Sequence, residues 1–196
     1  MSVISNVKVY DLEESILRSG YPMRAKITDR SIDEKDIKRV MNLTKRSSSN
    51  GSHGQWLTGV RVNFDVTFSN KAWVEAERYR FLEFVSSQST MHRLVKFDLD
   101  NSYNQYVDPR VIEIMKEKVR DYNTETDPEK KKEKYLSLLY TNPAGFTLTA
   151  RLTTNYRCLL NIYEQRKDHR LPEWREFCNE LLELPMFKEL LDAYSN

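Results

Sequence analysis

The chain has 196 residues, 39% apolar and 31% charged, which suits one domain around one core. Its 31 basic and 29 acidic residues leave a formal net charge of +2, which argues against a general nucleic-acid coat but leaves room for a local basic pocket. Two cysteines and three scattered histidines (His53, His92, His169) follow no metal-site spacing, and no apolar run is long enough for a membrane span or signal peptide, so a soluble, cytoplasmic protein without a metal is expected.

In chain order, Val3 to Tyr10 alternates weakly and is expected as an edge strand. Leu12 to Arg18 reads as a short helix ended by Gly20, and Met23 to Ile27 as a short extended segment. Ser31-Ile32-Asp33-Glu34 has the pattern of a capping box opening a helix to about Leu43, with Ile32, Ile37, Val40 and Met41 inward. Lys45 to Gly54 (KRSSSNGSHG) is a loop by composition; it is either a flexible linker or a small polar loop that a phosphate or ring edge can approach. Val60, Val62, Phe64, Val66 and Phe68 alternate with Arg61, Asn63, Asp65 and Thr67, the period of a half-buried strand. Asn70 is placed to cap a helix from Lys71 to about Phe84, whose end holds Arg78-Tyr79-Arg80. Two arginines flanking an aromatic can serve a phosphate and a stacked ring together, or simply be solvated.

Ser86 to Arg93 is a polar loop rich in hydroxyls. Asp108-Pro109 and Asp127-Pro128 each place an acid at a helix cap and proline at the first helical position, for helices to about Tyr122 and Leu139. The lysines of the second helix are interleaved with acids, a solvated face. Asn142-Pro143-Ala144-Gly145 breaks the chain. Leu171-Pro172 opens a further helix on Trp174, Phe177, Leu181 and Leu182, and a terminal helix after Pro185 uses Phe187, Leu190 and Leu191. The class expected is α+β: a mixed or antiparallel sheet packed with several helices, with a helix-rich C-terminal half.

Leu152 to Trp174 reads as a helix whose apolar stripe is Leu152, Tyr156, Leu159, Leu160 and Tyr163. At about 100° per residue, Arg157 and Asn161 share one side, and Asn155 and Arg166 return to within roughly 20° of each other. Guanidinium forks match phosphate and carboxylate, and amides read the edge of a base or flavin ring. A polar subunit interface is the plainer alternative.

The pattern N-x-R-x-x-x-N-x-x-x-x-R, followed by a short loop and a tryptophan, resembles the C-terminal half of the flavin-dependent thymidylate synthases. In the N-terminal half, His53 ahead of a strand–helix unit and Arg78-Tyr79-Arg80 at its end are similar to that family's histidine and Arg-His-Arg triplet. The resemblance covers His53 to Arg80 and Thr149 to Leu182. It implies the family's thymidylate synthase-complementing protein fold over a single domain, 1–196. It also implies FAD as cofactor, with NADPH and methylenetetrahydrofolate as cosubstrates, a dUMP-like pyrimidine nucleotide, and a tetramer whose sites are shared among subunits. Carried over residue by residue, Arg78, Tyr79, Arg80, His53, Asn155, Arg157, Asn161 and His169 look like FAD contacts. Arg166 looks like the catalytic arginine that holds the pyrimidine, and Arg93 looks like a nucleotide-phosphate contact.

The departures leave the flavin half of the site better kept than the nucleotide half. Tyr79 replaces the family histidine, Arg170 stands where the later histidine is expected, and Glu75 occupies a glutamine-like position. Arg93 comes late in its loop, and a second phosphate-binding arginine is replaced by Leu139. The reading is a divergent flavin-dependent pyrimidine-nucleotide methyltransferase. One alternative is a non-catalytic protein of the same fold that binds a nucleotide or a nucleic-acid strand; another is an unrelated helical protein.

Overall fold

A computed structural model of the chain describes residues 2–47 and 51–195. In order, the elements are β1 (Ile4–Tyr10), α1 (Leu12–Arg18), α2 (Glu34–Ser47), β2 (Arg61–Ser69), α3 (Asn70–Ala76), β3 (Glu83–Ser87), α4 (Thr90–Arg93), α5 (Pro109–Thr124), α6 (Pro128–Thr141), β4 (Thr147–Asn155), α7 (Tyr156–Arg166), α8 (Pro172–Leu181) and α9 (Phe187–Ser195). Short 3-10 turns occupy Tyr21–Met23, Gly51–Thr58 and Leu94–Lys96.

The alternation in β2 organises the architecture. The strands form an antiparallel sheet in the order β1-β2-β4-β3. β2 and β4 pair along their full length, from Arg61 opposite Asn155 to Ser69 opposite Thr147. One face, carrying Val62, Phe64, Val66, Phe68, Ala150 and Leu152, is sealed by α7, α8 and α9 through Leu159, Leu160, Trp174, Phe177 and Phe187. Removing that apolar surface from water is the main stabilising term. The other face is polar, with Asp65 3.1 Å from Arg151 and the Thr67 and Thr149 hydroxyls 2.7 Å apart. A smaller cluster of Leu94, Leu99, Met115, Leu138 and Phe146 lies under α5 and α6.

Several expectations are met: β1 is an edge strand, α1 has the expected span, and Asp108 and Asp127 cap α5 and α6. Others are corrected. The stretch from Leu152 is not one helix: Leu152 lies in β4, and helix starts only at Tyr156. Asn155 is the cap, its Oδ1 accepting from the Cys158 N–H at 3.0 Å. The helix after β2 ends at Ala76 instead of Phe84, and Phe84 belongs to β3, drawn into extended form by pairing with β4. The triplet therefore lies in the turn between α3 and β3.

Smaller shifts follow the same logic of local hydrogen bonds. Ser69, not Asn70, caps α3 by accepting from the Ala72 N–H. The reciprocal box at α2 is formed by Asp33 and Asp36, two residues later than expected. Met23–Ile27 is no strand, since the chain turns at Tyr21–Met23. Lys45–Ser47 extends α2 and Gly51–Gly54 is 3-10 turn; residues 48–50 of the expected loop lie outside the described residues. Ser86 and Ser87 are strand, not loop. No helix among the described residues is long and apolar enough to cross a membrane.

Candidate functional site

Three segments meet at the end of the sheet where β4 passes into α7. Asn155 closes β4 opposite Arg61, the first residue of β2. The Arg78–Arg80 turn forms one wall and the 3-10 turn after α2 another. Between them is a cleft of about 980 Å³. It gathers Arg78, Tyr79, Arg80, Asn155, Arg157 and Asn161, all six singled out from the sequence, and adds Arg61.

The side chains are held by identifiable contacts. Arg157 donates from Nη1 to Gln55 Oε1 at 2.9 Å and from Nη2 to the Gly51 carbonyl at 2.8 Å. Both acceptors are neutral, so they orient the guanidinium without cancelling its charge. A Cβ on Gly51 would lie 2.9 Å from that Nη2, the mobile end of the Arg157 side chain. Asn155 is 6% exposed and spends its Oδ1 on the cap, leaving the amide N–H groups as donors. Arg80 lies over the Phe81 ring, 5.7 Å from its centroid. Glu83 also lines the cleft. The balance is four guanidinium groups to one carboxylate, an environment suited to a diphosphate with a ring edge nearby.

Tyr79 separates this cleft from a buried cluster. Arg166 is 8% exposed; its Nε donates to the Tyr79 hydroxyl at 2.6 Å, and both Nη atoms lie 3.4 Å from Glu75 Oε2. Its guanidinium stacks over Trp174 at 5.0 Å and Tyr79 at 5.4 Å. The Tyr79 hydroxyl donates to Gln165 Oε1 at 3.0 Å. Burial raises the Tyr79 pKa above the usual phenol value while Arg166 pulls it down, so the ring stays neutral at physiological pH. His169 sits beside the same group. Burial and the Arg166 charge lower its pKa, and its Nδ1 accepts from the Leu171 N–H at 3.2 Å.

The remaining candidates lie elsewhere. His53 lines an adjoining cavity of about 510 Å³ that shares Gln55 and Thr58 with the main cleft. Arg93 lines a third cavity of about 270 Å³ with Lys96. Arg61, Gln55 and Lys96 were missed in the sequence. Arg61 was legible as the head of the alternating strand, but its pairing with Asn155 across the ladder was visible only once β4 was known. Among the described residues no group of His, Cys, Asp and Glu side chains could hold a metal ion.

The fold is that of the flavin-dependent thymidylate synthases. A Helicobacter pylori ThyX crystallised with FAD and dUMP superposes with a TM-score of 0.70 at 17% identity, covering 99% of this chain and 98% of that one. Another crystal structure of that enzyme with the same two ligands gives 0.65 at 16%, again covering 99% and 98%. The UMP/dUMP methylase PolB from Streptomyces cacaoi, bound with 5-Br dUMP, gives 0.69 at 14%, covering 99% of this chain and 95% of that one. No protein-family model and no curated protein sequence matches the chain.

Proposed function

We propose that the chain, acting as one domain, is a flavin-dependent pyrimidine-nucleotide methyltransferase of thymidylate-synthase type that acts on dUMP or a related nucleotide. The one-carbon unit comes from methylenetetrahydrofolate and the reducing equivalents from NADPH. Bound FAD supplies the hydride chemistry, and the protein supplies binding, orientation and positive potential. Arg78, Tyr79, Arg80, Asn155, Arg157 and Asn161 hold the dinucleotide, with His53 from the adjoining cavity and His169 behind Tyr79. Arg166 holds the pyrimidine and favours negative charge developing on its carbonyl; Arg93 contacts the phosphate. Those groups are distributed around more than one cavity, so the working form is a tetramer in the cytoplasm with sites completed by neighbouring subunits.

The observation that supports this reading is convergence. Arg78–Arg80 and Asn155–Asn161 are far apart in sequence but line one cationic cleft. They do so in a fold whose solved examples include two structures crystallised with FAD and dUMP and one bound with 5-Br dUMP. The purified protein is expected to be yellow, with the visible absorption of bound flavin, and to oxidise NADPH faster when dUMP is added. The double variant Arg78→Ala/Arg80→Ala should bind FAD at least about tenfold more weakly, since two charge-assisted contacts are removed. A colourless protein that takes up no added FAD refutes the assignment.

A second reading, a non-catalytic nucleotide-binding protein of this fold or one that holds a nucleic-acid strand, draws on one observation. The Arg166 guanidinium is already engaged by Glu75 and Tyr79. Flavin binding without dUMP-dependent NADPH oxidation would favour it.

A further inference from the structure

Arg166 and Asn161 lie on the same helix, α7, but in different surroundings: Arg166 is buried in the cluster behind Tyr79, and Asn161 lines the cleft. A continuous chain of hydrogen bonds joins them. Arg166 Nε donates to the Tyr79 hydroxyl at 2.6 Å, the hydroxyl donates to Gln165 Oε1 at 3.0 Å, and Gln165 Nε2 donates to Asn161 Oδ1 at 3.1 Å.

The direction of this chain follows from its first member. A guanidinium has donors and no acceptor, so Tyr79 must receive from Arg166. Burial holds the phenol above its usual pKa, so it keeps its one proton and directs it onward. The Gln165 oxygen must therefore face Tyr79, which turns the amide nitrogen toward Asn161, one helical turn earlier. Asn161 has its oxygen turned to Gln165, and its N–H groups are left for the cleft. Reversing either amide would set donor against donor.

The other edge of Arg166 is held less closely. Both Nη atoms lie 3.4 Å from the single oxygen Glu75 Oε2, against 2.6 Å for the Nε contact. A pyrimidine carbonyl can take the Nη edge while Nε stays on Tyr79. The guanidinium also lies over the Tyr79 ring, 5.4 Å from its centroid, so a ligand that fixes Arg166 fixes Tyr79 with it.

We infer that Gln165 is a positioning residue: with Tyr79 it carries the donor polarity set by Arg166 to Asn161, so that a nucleotide bound at Arg166 tightens flavin binding in the cleft. This rests on the reading above, which gives the pyrimidine to Arg166 and the flavin to Asn161, and adds a coupling between the two. Such a coupling is a shared free energy, so flavin tightens the nucleotide by the same factor.

The test measures FAD affinity of the full-length protein by flavin fluorescence, without nucleotide and with saturating dUMP or UMP. In the wild type one of the two nucleotides should tighten FAD about fivefold. Gln165 is exposed, so Gln165→Met keeps the length of the side chain and the helix while removing the amide. It should weaken FAD alone by no more than about twofold, as loss of an exposed helical pair does, and abolish the nucleotide enhancement. Tyr79→Phe, which keeps the ring, should abolish the enhancement too. With nucleotide present, the double variant should bind FAD no more weakly than the weaker single variant. A wild type that neither nucleotide tightens, a single variant that keeps the enhancement, or additive losses in the double variant each overturns the inference. NADPH oxidation stimulated by dUMP is read on the same samples and scores the methyltransferase reading separately. Coupling without turnover keeps the relay and removes that reading; turnover without coupling does the reverse. A wild type that takes up no FAD overturns both.

Discussion

Arg166 illustrates how residue type and residue placement differ. Its spacing from Asn155 made it one of two projecting pairs, yet its guanidinium is folded between Tyr79 and Trp174 and bonded to Glu75. The chemistry that suits it to a pyrimidine, a flat delocalised cation, also suits it to two aromatic rings and a carboxylate. Asp36 is the other residue-scale case. Its carboxylate is fully buried between Arg30 and Arg39, each with an oxygen contact of 2.6 Å, and Arg24 at 3.6 Å. The Arg30 hydrogen bond, with further help from Arg39, holds its carboxyl well below the usual carboxylate range. A depressed folded-state pKa stabilises the protein above the unfolded value near 3.9, and that contribution is lost as pH falls from there through the folded value. Asp36→Asn should therefore lower the urea midpoint at pH 7, and the gap to wild type should close as pH falls below about 4. A gap independent of pH would mean that packing, not charge, is what Asp36 contributes.

At the scale of elements, caps and pairing decide where helices begin and end. The α3 N-terminus is held by the Ser69 hydroxyl, which accepts from the Ala72 N–H, and by Glu173 of α8, whose Oε1 accepts from the Ser69 N–H at 3.0 Å. Ser69→Ala should cost about 1 kcal/mol of stability, read by chemical denaturation, as a lost cap does. That helix presents Glu75 to Arg166 and ends just before the triplet, so the same variant should also loosen FAD. The strand segments missed in the sequence, Thr147–Asn155 and Glu83–Ser87, pair with each other, and together they set Asn155 and Glu83 at the cleft.

At the scale of the molecule, the cationic groups do not all face one cavity of one chain. The main cleft, the His53 cavity and the Arg93–Lys96 cavity are separately lined. A tetramer with shared sites predicts that FAD occupancy falls on dilution in step with dissociation, measured by sedimentation beside flavin fluorescence. Unchanged occupancy in an isolated monomer would place the whole FAD site within one chain.

The sequence by itself determined what depends on neighbours along the chain. The alternation of β2, the Asp-Pro starts of α5 and α6, and the apolar positions of α8 and α9 were all legible, because caps and periodicity are local. Six of the candidate cleft residues were legible too, through their types and spacing. Only the tertiary structure decided between two periods that overlap around Leu152: the two-residue alternation of Leu148, Ala150 and Leu152, and the helical repeat from Tyr156 onward. The nine-residue ladder with β2 resolves it, and a ladder joins residues far apart in sequence. Convergence is of the same kind, since which guanidinium groups meet, and which of them lie near Glu75, depends on distances that no local pattern encodes.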